Sequence, residues 1–242
     1  MRSDPTISNT LDELYGSSSF DYLNSIPMLQ KTYITLVKSA IKQGKLFGSV
    51  LEIGEGNGFF LEAALNEGAI KVTGIEPSDK AINSASAKVR PYFIKSMMKP
   101  GLVPNNSIDI VTAFHVLDHL VDPLEVVKIS IEALAGKGFF IAAVHNERSI
   151  SAKIFKNKSP IFDVEHTFLF SKSTAIKLLE LAGLRNVICK SYANTFSLAY
   201  LIQLIPIPNK IKIRILDSFL RRLLTQIKFK MYLGNIVVFG EK

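Results

Sequence analysis

The stretch VLEIGEGNGFF, residues 50–60, decides the fold because it places three glycines at alternate positions directly after an apolar run. The segment SVLEI before the glycines has the composition of a buried strand. FFLEAALNEG after them has the pattern of a helix that Gly68 would end. Glycine accepts a left-handed backbone and has no side chain to block a ligand. A strand, a glycine-rich turn and a helix in this order predict the first βα unit of an open α/β sheet.

Apolar runs of strand length recur along the rest of the chain, with helical patterns between them. Ser78 and Asp122 stand where they would cap two of these helices, and Gly183 stands where it would end another. Strands that alternate with helices indicate parallel βαβ units, so we predict a Rossmann-like α/β fold with helices on both faces of a mostly parallel sheet. The predicted strands are residues 49–53, 70–75, 92–95, 108–114, 139–144, 187–192 and 236–240.

The composition is that of a globular protein, with 48% hydrophobic and 21% charged residues among 242. Cys189 is the single cysteine, so an internal disulfide is excluded and a reducing compartment is favoured. The first ten residues contain no apolar stretch of the kind found in signal peptides. The apolar run FSLAYLIQLI ends at Pro206 and is too short to span a bilayer. We therefore expect a cytoplasmic protein, either free or peripheral to the membrane.

The distribution of motifs divides the chain into four parts. We predict an N-terminal helical extension or lid at residues 1–45 and a ligand-binding core at residues 46–194. An amphipathic basic helical insertion follows at residues 195–232, and residues 233–242 supply the final strand of the core. Native oligomeric state leaves no signal of this kind in the sequence.

The basic character of the chain is concentrated in that insertion. The formal net charge is +8, and residues 209–230 contain seven Lys or Arg and one Asp. Apolar residues fall there at helical spacing, which fits a helix packed on the core or on a dimer partner with solvated charges, or one resting on an anionic membrane. Nucleic acid is not expected as a partner, since no RNA-binding module pattern is present.

The charges around the glycine turn indicate which ligand it binds. Glu76 ends the second predicted strand, where an acidic side chain can accept hydrogen bonds from ribose hydroxyls. A dinucleotide turn reads G-x-G-x-x-G and holds a pyrophosphate, which Glu55 would repel by roughly 1–4 kcal/mol per close charge pair. S-adenosylmethionine has a ribose and no phosphate, and Glu52 would favour its sulfonium and ammonium groups. The charges therefore favour S-adenosylmethionine.

With these features the sequence resembles the class I S-adenosylmethionine-dependent methyltransferases. The glycine stretch looks like the family's first motif, and IEPS at residues 75–78 looks like its second. IDIVTAFHVLDHLVDP at residues 108–123 resembles the segment around the fourth strand. DVEHTFLFSKSTAIKLLELAGL at residues 163–184 resembles a stretch common in one broad subgroup. Together with the last strand, NIVVFGEK, these motifs follow one another at suitable spacing.

The resemblance implies a seven-stranded sheet whose last strand is antiparallel, together with a set of cofactor contacts. Phe114 and His115 would lie against the methionine end of the cofactor. Met97 stands where many members have an Asp that accepts from the adenine amino group, and Met packs on adenine but is a poor acceptor. The remaining implied contacts are Glu52, Gly54, Gly56, Gly58 and Glu76.

Methyl transfer requires the nucleophile to line up with the methyl group and the sulfur at close range. A base is needed when an O–H, N–H or C–H nucleophile must lose its proton. His145 follows the fifth strand at the ligand edge of the sheet, and the resemblance places His166 near the mouth of the substrate pocket. We predict these two as catalytic candidates, with hydrogen bonding to loops or substrate oxygens as the alternative role.

We expect no metal centre. Asp118 and His119 resemble an acid–histidine pair that some family members use around a metal, but such a pair more often begins a helix. His115 would wedge against the cofactor. No cluster of His and Cys in the sequence supports a zinc site, and Cys189 lies in a predicted strand.

The leading hypothesis is an enzyme that transfers a methyl group to a small-molecule, sugar or lipid-linked acceptor. A nicotinamide-dependent oxidoreductase shares the general layout of the fold. A non-enzymatic binding or scaffold protein on a methyltransferase fold is the third hypothesis, because Met97 replaces the usual acid and no base is certain from sequence.

Overall fold

The computed structural model describes residues 22–40, 48–54, 56–149, 152–153, 166–204 and 221–242. Residues 1–21 and 41–45 of the predicted N-terminal extension lie outside this part of the chain. Glu55 of the glycine turn also lies outside it, as do residues 205–220 of the predicted basic insertion.

The described residues contain seven α-helices. Ser78 and Asp122 act as the predicted caps, since their side chains accept the N–H groups of Ala81 at 3.3 Å and Glu125 at 3.0 Å. Gly183 ends a later helix in the left-handed conformation, as predicted. The helices are α1 (Tyr22–Ala40), α2 (Phe59–Asn66), α3 (Asp79–Ser84), α4 (Pro123–Ala133), α5 (Lys172–Ala182), α6 (Leu198–Leu204) and α7 (Arg221–Gln226).

The same part of the chain contains nine strands. All seven predicted strands are present, with bounds that differ by at most two residues except at the fifth, which begins at Leu134 instead of residue 139. The strands are β1 (Ser49–Ile53), β2 (Lys71–Ile75), β3 (Phe93–Ile94), β4 (Ile108–Phe114), β5 (Leu134–His145), β6 (Arg185–Ser191), β7 (Asn194–Ser197), β8 (Lys228–Met231) and β9 (Asn235–Glu241).

Seven strands form the main sheet in the order β3-β2-β1-β4-β5-β9-β6. Strand β1 pairs in parallel with both β2 and β4, and β9 runs antiparallel to β5 and β6. The strand order reverses between β1 and β4, which is where open α/β sheets bind their ligands. The predicted Rossmann-like sheet with an antiparallel last strand is confirmed.

The core has one layer on each face of this sheet. On one face Val50 of β1 packs with residues of α1 and α2, including Val37 and Phe60. On the other face Leu51 packs with residues of α4 and α5, including Val127 and Leu179. Successive residues of β1 are buried on opposite faces, which explains why the neighbouring Val50 and Leu51 are both apolar.

The predicted helical insertion at residues 195–232 is wrong at both of its described ends. Strands β7 and β8 pair antiparallel in a separate two-stranded sheet, with Phe196 opposite Phe229. Residues 228–231 read Lys-Phe-Lys-Met, an alternation with a period of two that suits a strand and opposes a helix. Within the insertion, helix is described only at α6 and α7. No described helix has both the length and the apolar character needed to cross a bilayer.

Candidate functional site

The glycine turn lies at the carboxyl end of β1, beside the point where the strand order reverses. Gly54, Gly56 and Gly58 all have left-handed φ values, of 63°, 60° and 72°. A Cβ added to Gly54 would lie 2.6 Å from Val116, and one added to Gly58 would lie 2.9 Å from Phe93. The turn therefore requires glycine for its backbone conformation and for its close packing.

The side chain of Glu76 forms a hydrogen bond with the backbone of this turn. One carboxylate oxygen, Oε2, accepts the N–H of Gly56 at 2.9 Å, and the other, Oε1, accepts the N–H of Ser78 at 2.9 Å. The side chain is buried, since only 7% of the residue is exposed. Each carboxylate oxygen can accept more than one hydrogen bond, so this anchored carboxylate retains capacity for ribose hydroxyls.

Glu52 is buried at the base of the same turn. Its Oε2 atom has no hydrogen-bond partner among the described residues. Burial, and then the neighbouring charge of Glu76, raises the pKa of Glu52 well above its ordinary value. A buried carboxylate of this kind is stabilised by a cation, which fits a ligand with an ammonium or sulfonium group.

An aromatic stack closes the site beyond the end of β4. Phe114 stacks on Tyr33 of α1 with ring centroids 4.1 Å apart, and it meets Phe60 edge-on at 5.0 Å. Gln30 of α1 donates a hydrogen bond to the carbonyl of Phe59 at 2.9 Å. Helix α1 therefore packs against Phe114, where we predict the methionine end of the cofactor, and against the helix that follows the glycine turn.

Met97 lies three residues beyond β3 with 58% of its surface exposed. The N–H of Glu76 donates to the carbonyl of Ile94 at 3.2 Å, so β3 runs directly beside the residue predicted to bind the ribose. Met97 therefore follows the carboxyl end of the strand that neighbours Glu76, and its adenine contact stays a prediction.

All four histidines of the chain lie in one cluster next to this site. The ring centroids of His115 and His145 are 4.6 Å apart, those of His145 and His166 are 4.7 Å apart, and those of His166 and His119 are 4.8 Å apart. Asp118, which is 1% exposed, lies among the rings. Its Oδ2 is 2.6 Å from His145 Nδ1 and 4.0 Å from His166 Nε2.

Three distant segments build this cluster. His115, Asp118 and His119 follow β4, and His145 ends the neighbouring β5. The segment that carries His166 is held by hydrogen bonds from the next two residues. The Thr167 hydroxyl donates to the carbonyls of Asp118 and Leu120, at 3.0 and 2.6 Å, and the N–H of Phe168 donates to the carbonyl of Asp118 at 3.1 Å. The structure thus brings the two predicted catalytic histidines together.

Burial and charge set the protonation of the cluster. Burial, followed by the charge of His145, lowers the pKa of His115 to about 3, so its ring is neutral near neutral pH. Burial alone would raise the pKa of Asp118, but the hydrogen bond from His145 together with the charges of His145, His115 and His119 outweighs burial and holds that pKa below its usual range. Burial raises the pKa of Tyr192, whose hydroxyl lies 3.1 Å from His115 Nε2. The cluster therefore contains a carboxylate beside neutral, buried hydrogen-bonding groups.

Three residues at the site were missing from the predicted set: Tyr33, Asp118 and Tyr192. For Asp118 a signal existed, because it stands between His115 and His119 in a motif after the fourth strand. Tyr33 and Tyr192 reach the site only through contacts across long stretches of chain, and neither belongs to a recognisable motif. His115 adopts a left-handed φ of 56°, which local sequence did not predict either.

Comparison with curated proteins finds relatives named ubiquinone biosynthesis O-methyltransferase. The protein of Vibrio vulnificus strain YJ016 is 31% identical over 121 residues, which are 47% of this chain and 51% of the relative. The protein of Vibrio campbellii is 33% identical over 118 residues, covering 45% of this chain and 49% of the relative. The chain therefore spans about half the length of the curated relatives it matches.

Solved structures with the same fold cover nearly the whole chain. A possible histamine N-methyltransferase from Thermotoga maritima has a TM-score of 0.60 at 17% identity, covering 98% of both chains. A SAM-dependent methyltransferase from Archaeoglobus fulgidus has a TM-score of 0.60 at 19% identity, covering 93% of this chain and all of that one. At such identities the likeness shows a shared fold.

A family model described as a methyltransferase domain matches residues 28–188, which include the glycine turn, Glu76 and all four histidines. The predicted cofactor, S-adenosylmethionine, is the cofactor of this family. The oxidoreductase hypothesis finds no support in these matches. The chain belongs to the methyltransferase-domain family, and its fold is that of the class I S-adenosylmethionine-dependent methyltransferases.

Proposed function

We propose that the protein transfers a methyl group from S-adenosylmethionine to a small-molecule acceptor. The observation that carries this proposal is the anchored carboxylate of Glu76, which hydrogen-bonds the glycine turn through Gly56. A pyrophosphate placed on this turn would meet the negative charges of Glu76 and Glu52, whereas a ribose and a cationic amino-acid moiety would be stabilised by them.

The proposed placement of the cofactor follows from the positions of these groups. The ribose lies at Glu76, the adenine lies along β3 toward Met97, and the methionine end lies toward Phe114 and His115. The buried Glu52 favours the positively charged part of the cofactor. Gly54, Gly56 and Gly58 let the ligand approach the backbone closely.

The histidine cluster is the proposed acceptor side of the site. His145 Nδ1 is 2.6 Å from Asp118 Oδ2, so the natural tautomer places the proton on Nδ1 and leaves Nε2 as the basic nitrogen. We assign His145 as the general base that removes a proton from the acceptor, and Asp118 as the residue that positions its ring. His166, with its side chain 7% exposed, is the second candidate and helps to shape the acceptor pocket.

The acceptor class that we propose is an amphiphilic molecule with a hydroxyl group. A base is required for transfer to a hydroxyl, because the oxygen must lose its proton. The curated relatives carry the name ubiquinone biosynthesis O-methyltransferase, which supports an oxygen nucleophile on a molecule with apolar character.

An exposed apolar surface supports contact with a membrane in which such an acceptor would dissolve. The described residues from α7 to Tyr232, just after β8, expose large apolar side chains, and Lys228 and Lys230 alternate with two of them on the exposed β8. Apolar side chains combined with lysines favour the surface of an anionic bilayer. We call these side chains the hairpin patch: Leu223, Ile227, Phe229, Met231 and Tyr232.

Flotation with vesicles that contain an anionic phospholipid tests the membrane proposal. The protein should float at low salt, and Phe229→Ser combined with Lys230→Glu should reduce the floating fraction severalfold. Ile70→Ser is the matched control, because Ile70 is 86% exposed before β2 and stands outside the hairpin patch. A protein that stays unbound at low salt, or a control that fails equally, would contradict the proposal.

Calorimetric titration tests the cofactor assignment and separates it from the remaining alternatives. S-adenosylhomocysteine should bind and raise the melting temperature, while NADH should do neither. Transfer of labelled methyl groups from S-adenosylmethionine to hydroxylated amphiphiles then tests the activity. A non-enzymatic scaffold would show little S-adenosylhomocysteine binding and no transfer.

A further inference from the structure

The carboxyl group of Glu52 is buried without a basic partner in the part of the chain that the structure describes. The residue is 3% exposed, and its Oε2 atom has no hydrogen-bond partner there. None of the ion pairs among the described residues includes it. A buried, ionised oxygen of this kind is costly, whereas the protonated carboxyl group is neutral and avoids most of that cost.

A second buried carboxylate follows the neighbouring strand. Glu52 of β1 is opposite Gly74 of β2 in the parallel register, so Glu76 stands two residues beyond that position. Glu76 accepts hydrogen bonds from the N–H groups of Gly56 and Ser78, and such donors stabilise the ionised form. The Oε2 atom of Glu52 has no donor of this kind. Of these two acids, Glu76 is therefore the one that holds the charge and Glu52 the one that holds the proton.

The surrounding charges agree with this division. Burial, and then the charge of Glu76, raises the pKa of Glu52 well above its ordinary value. The histidine cluster beyond β4 acts mainly on its own members, since the charges that shift the pKa of His115 come from that cluster. The other charged side chains on α1, α2, β2 and β4 are exposed or, in one case, bonded to a serine: Lys31, Lys38, Lys71 and Asp109 are exposed, and Glu62 accepts from Ser86 at 2.9 Å.

We propose that Glu52 is protonated in the cofactor-free protein and releases this proton when a cationic cofactor binds, so that it selects ligands by their positive charge. This proposal rests on the proposed function, since the ligand is taken to be S-adenosylmethionine or its product. The proton passes to the solvent, and the carboxylate that remains stabilises the ammonium or sulfonium group. Because loss of the proton offsets part of this attraction, Glu52 contributes more to discrimination between ligands than to affinity.

Calorimetric titration of the full-length protein, in buffers of equal pH but different ionisation enthalpy, counts the protons released per bound ligand. Near about pH 6.5, S-adenosylmethionine should release about one proton more from the wild type than from Glu52→Gln. 5′-Methylthioadenosine shares the nucleoside and the thioether but has no cationic group, and it should show no such difference. An equal difference with 5′-methylthioadenosine, or none with S-adenosylmethionine, would overturn the proposal.

S-adenosylhomocysteine identifies the charge that Glu52 recognises, because it keeps the ammonium group and lacks the sulfonium group. A proton released with both S-adenosylhomocysteine and S-adenosylmethionine assigns the exchange to the ammonium group. A proton released with S-adenosylmethionine alone assigns it to the sulfonium group. A protein that binds neither ligand would contradict the proposed function as well, whereas binding without this proton exchange would overturn only the role of Glu52.

The pH dependence of affinity is a second measurement. Between about pH 5 and 7 the affinity of the wild type for S-adenosylmethionine should rise by as much as about tenfold per pH unit relative to Glu52→Gln, because the bound protein holds one proton fewer. The comparison removes any proton exchange by the histidine cluster, which is present in both proteins. Glu67→Gln, at an exposed ion pair, is the matched control and should follow the wild type. Parallel pH profiles for the wild type and Glu52→Gln would refute the proposal.

Discussion

The two halves of the site are built in different ways. The cofactor half consists of the glycine turn and Glu76, which stand at the ends of adjacent strands and interact largely through backbone groups. The acceptor half consists of Asp118 and four histidines, drawn from three segments that meet only in the folded chain. The cofactor half can therefore be predicted from sequence motifs, whereas the acceptor half depends on tertiary packing. Substitutions in the two halves should have separable effects.

The largest expected effect lies in the acceptor half. His145→Ala should lower kcat by about 10²–10⁴-fold, the contribution typical of a general base. Its affinity for S-adenosylhomocysteine should stay within about twofold of the wild type, because His145 is assigned to the acceptor side. Steady-state kinetics and calorimetry measure the two quantities. Glu147→Gln, a change at the next acidic residue along the chain, serves as the control and should leave kcat unchanged.

Gly54→Ala should damage the cofactor half through the fold itself. A left-handed backbone costs a non-glycine residue roughly 1–2 kcal/mol, and the new methyl group would lie 2.6 Å from Val116. We expect a loss of about 2–4 kcal/mol in the free energy of unfolding and weak S-adenosylhomocysteine binding. Gly68→Ala is the matched control, since Gly68 also has a positive φ but open space around its Cβ position. Equal losses in the two variants, measured by denaturant unfolding, would show that the close packing at Gly54 is unimportant.

Glu76→Ala should weaken S-adenosylhomocysteine binding by about 1.5–3 kcal/mol, because a charged acceptor of hydrogen bonds is removed from the ribose. Glu76→Gln keeps one acceptor oxygen and should fall between the alanine variant and the wild type. Glu67→Ala, at an exposed residue that pairs with Lys38, should bind normally. Calorimetric titration provides all three values, and unchanged affinity in Glu76→Ala would contradict the ribose assignment.

Glu52→Gln should have the smallest effect. It should stabilise the cofactor-free protein and weaken the binding of the cofactor. The pKa of Glu52 is raised by burial in the folded state, so the folded protein holds that proton more tightly than the unfolded chain. The stabilisation that protonated Glu52 contributes is therefore fully present below its pKa in the unfolded chain, and it is lost as the pH rises through its pKa in the folded protein. Glutamine does not titrate and removes this loss.

Near neutral pH we expect the cofactor-free Glu52→Gln variant to melt about 2–4 °C higher than the wild type, the shift that about 1 kcal/mol produces in a chain of this size. Binding of S-adenosylmethionine should be weaker, because the carboxylate opposite its positive charges is gone. Scanning calorimetry from acidic to neutral pH measures the first effect. Glu67→Gln, at an exposed ion pair, should show neither change.

The sequence predicted the parts of the molecule that are specified locally. The strand bounds of β1 and β4, the caps at Ser78 and Asp122, and the glycine turn all depend on neighbours in the chain. The helix predicted through residues 228–231 failed because its apolar and basic residues fit a helical stripe, while their strict alternation over four positions favoured β8.

The acceptor half shows what local patterns cannot specify. His145 was chosen from its position after the fifth strand and His166 from the family resemblance, yet their neighbour Asp118 was not included in the predicted site. Its role depends on hydrogen bonds that join residues 118–120 to residues 167–168, contacts with no periodic signature in sequence. The same holds for Tyr33, which reaches Phe114 from a helix that carries no motif.

A crystal structure with bound S-adenosylhomocysteine is the most direct measurement of the central claim, that Glu76 and the glycine turn hold the sugar of a cationic sulfur cofactor. Both ribose hydroxyls should lie within hydrogen-bond distance of the Glu76 carboxylate, with the sulfur directed toward Phe114 and His115. A ligand whose sugar lies away from Glu76, or a nucleotide whose phosphates lie across Gly54–Gly58, would contradict it.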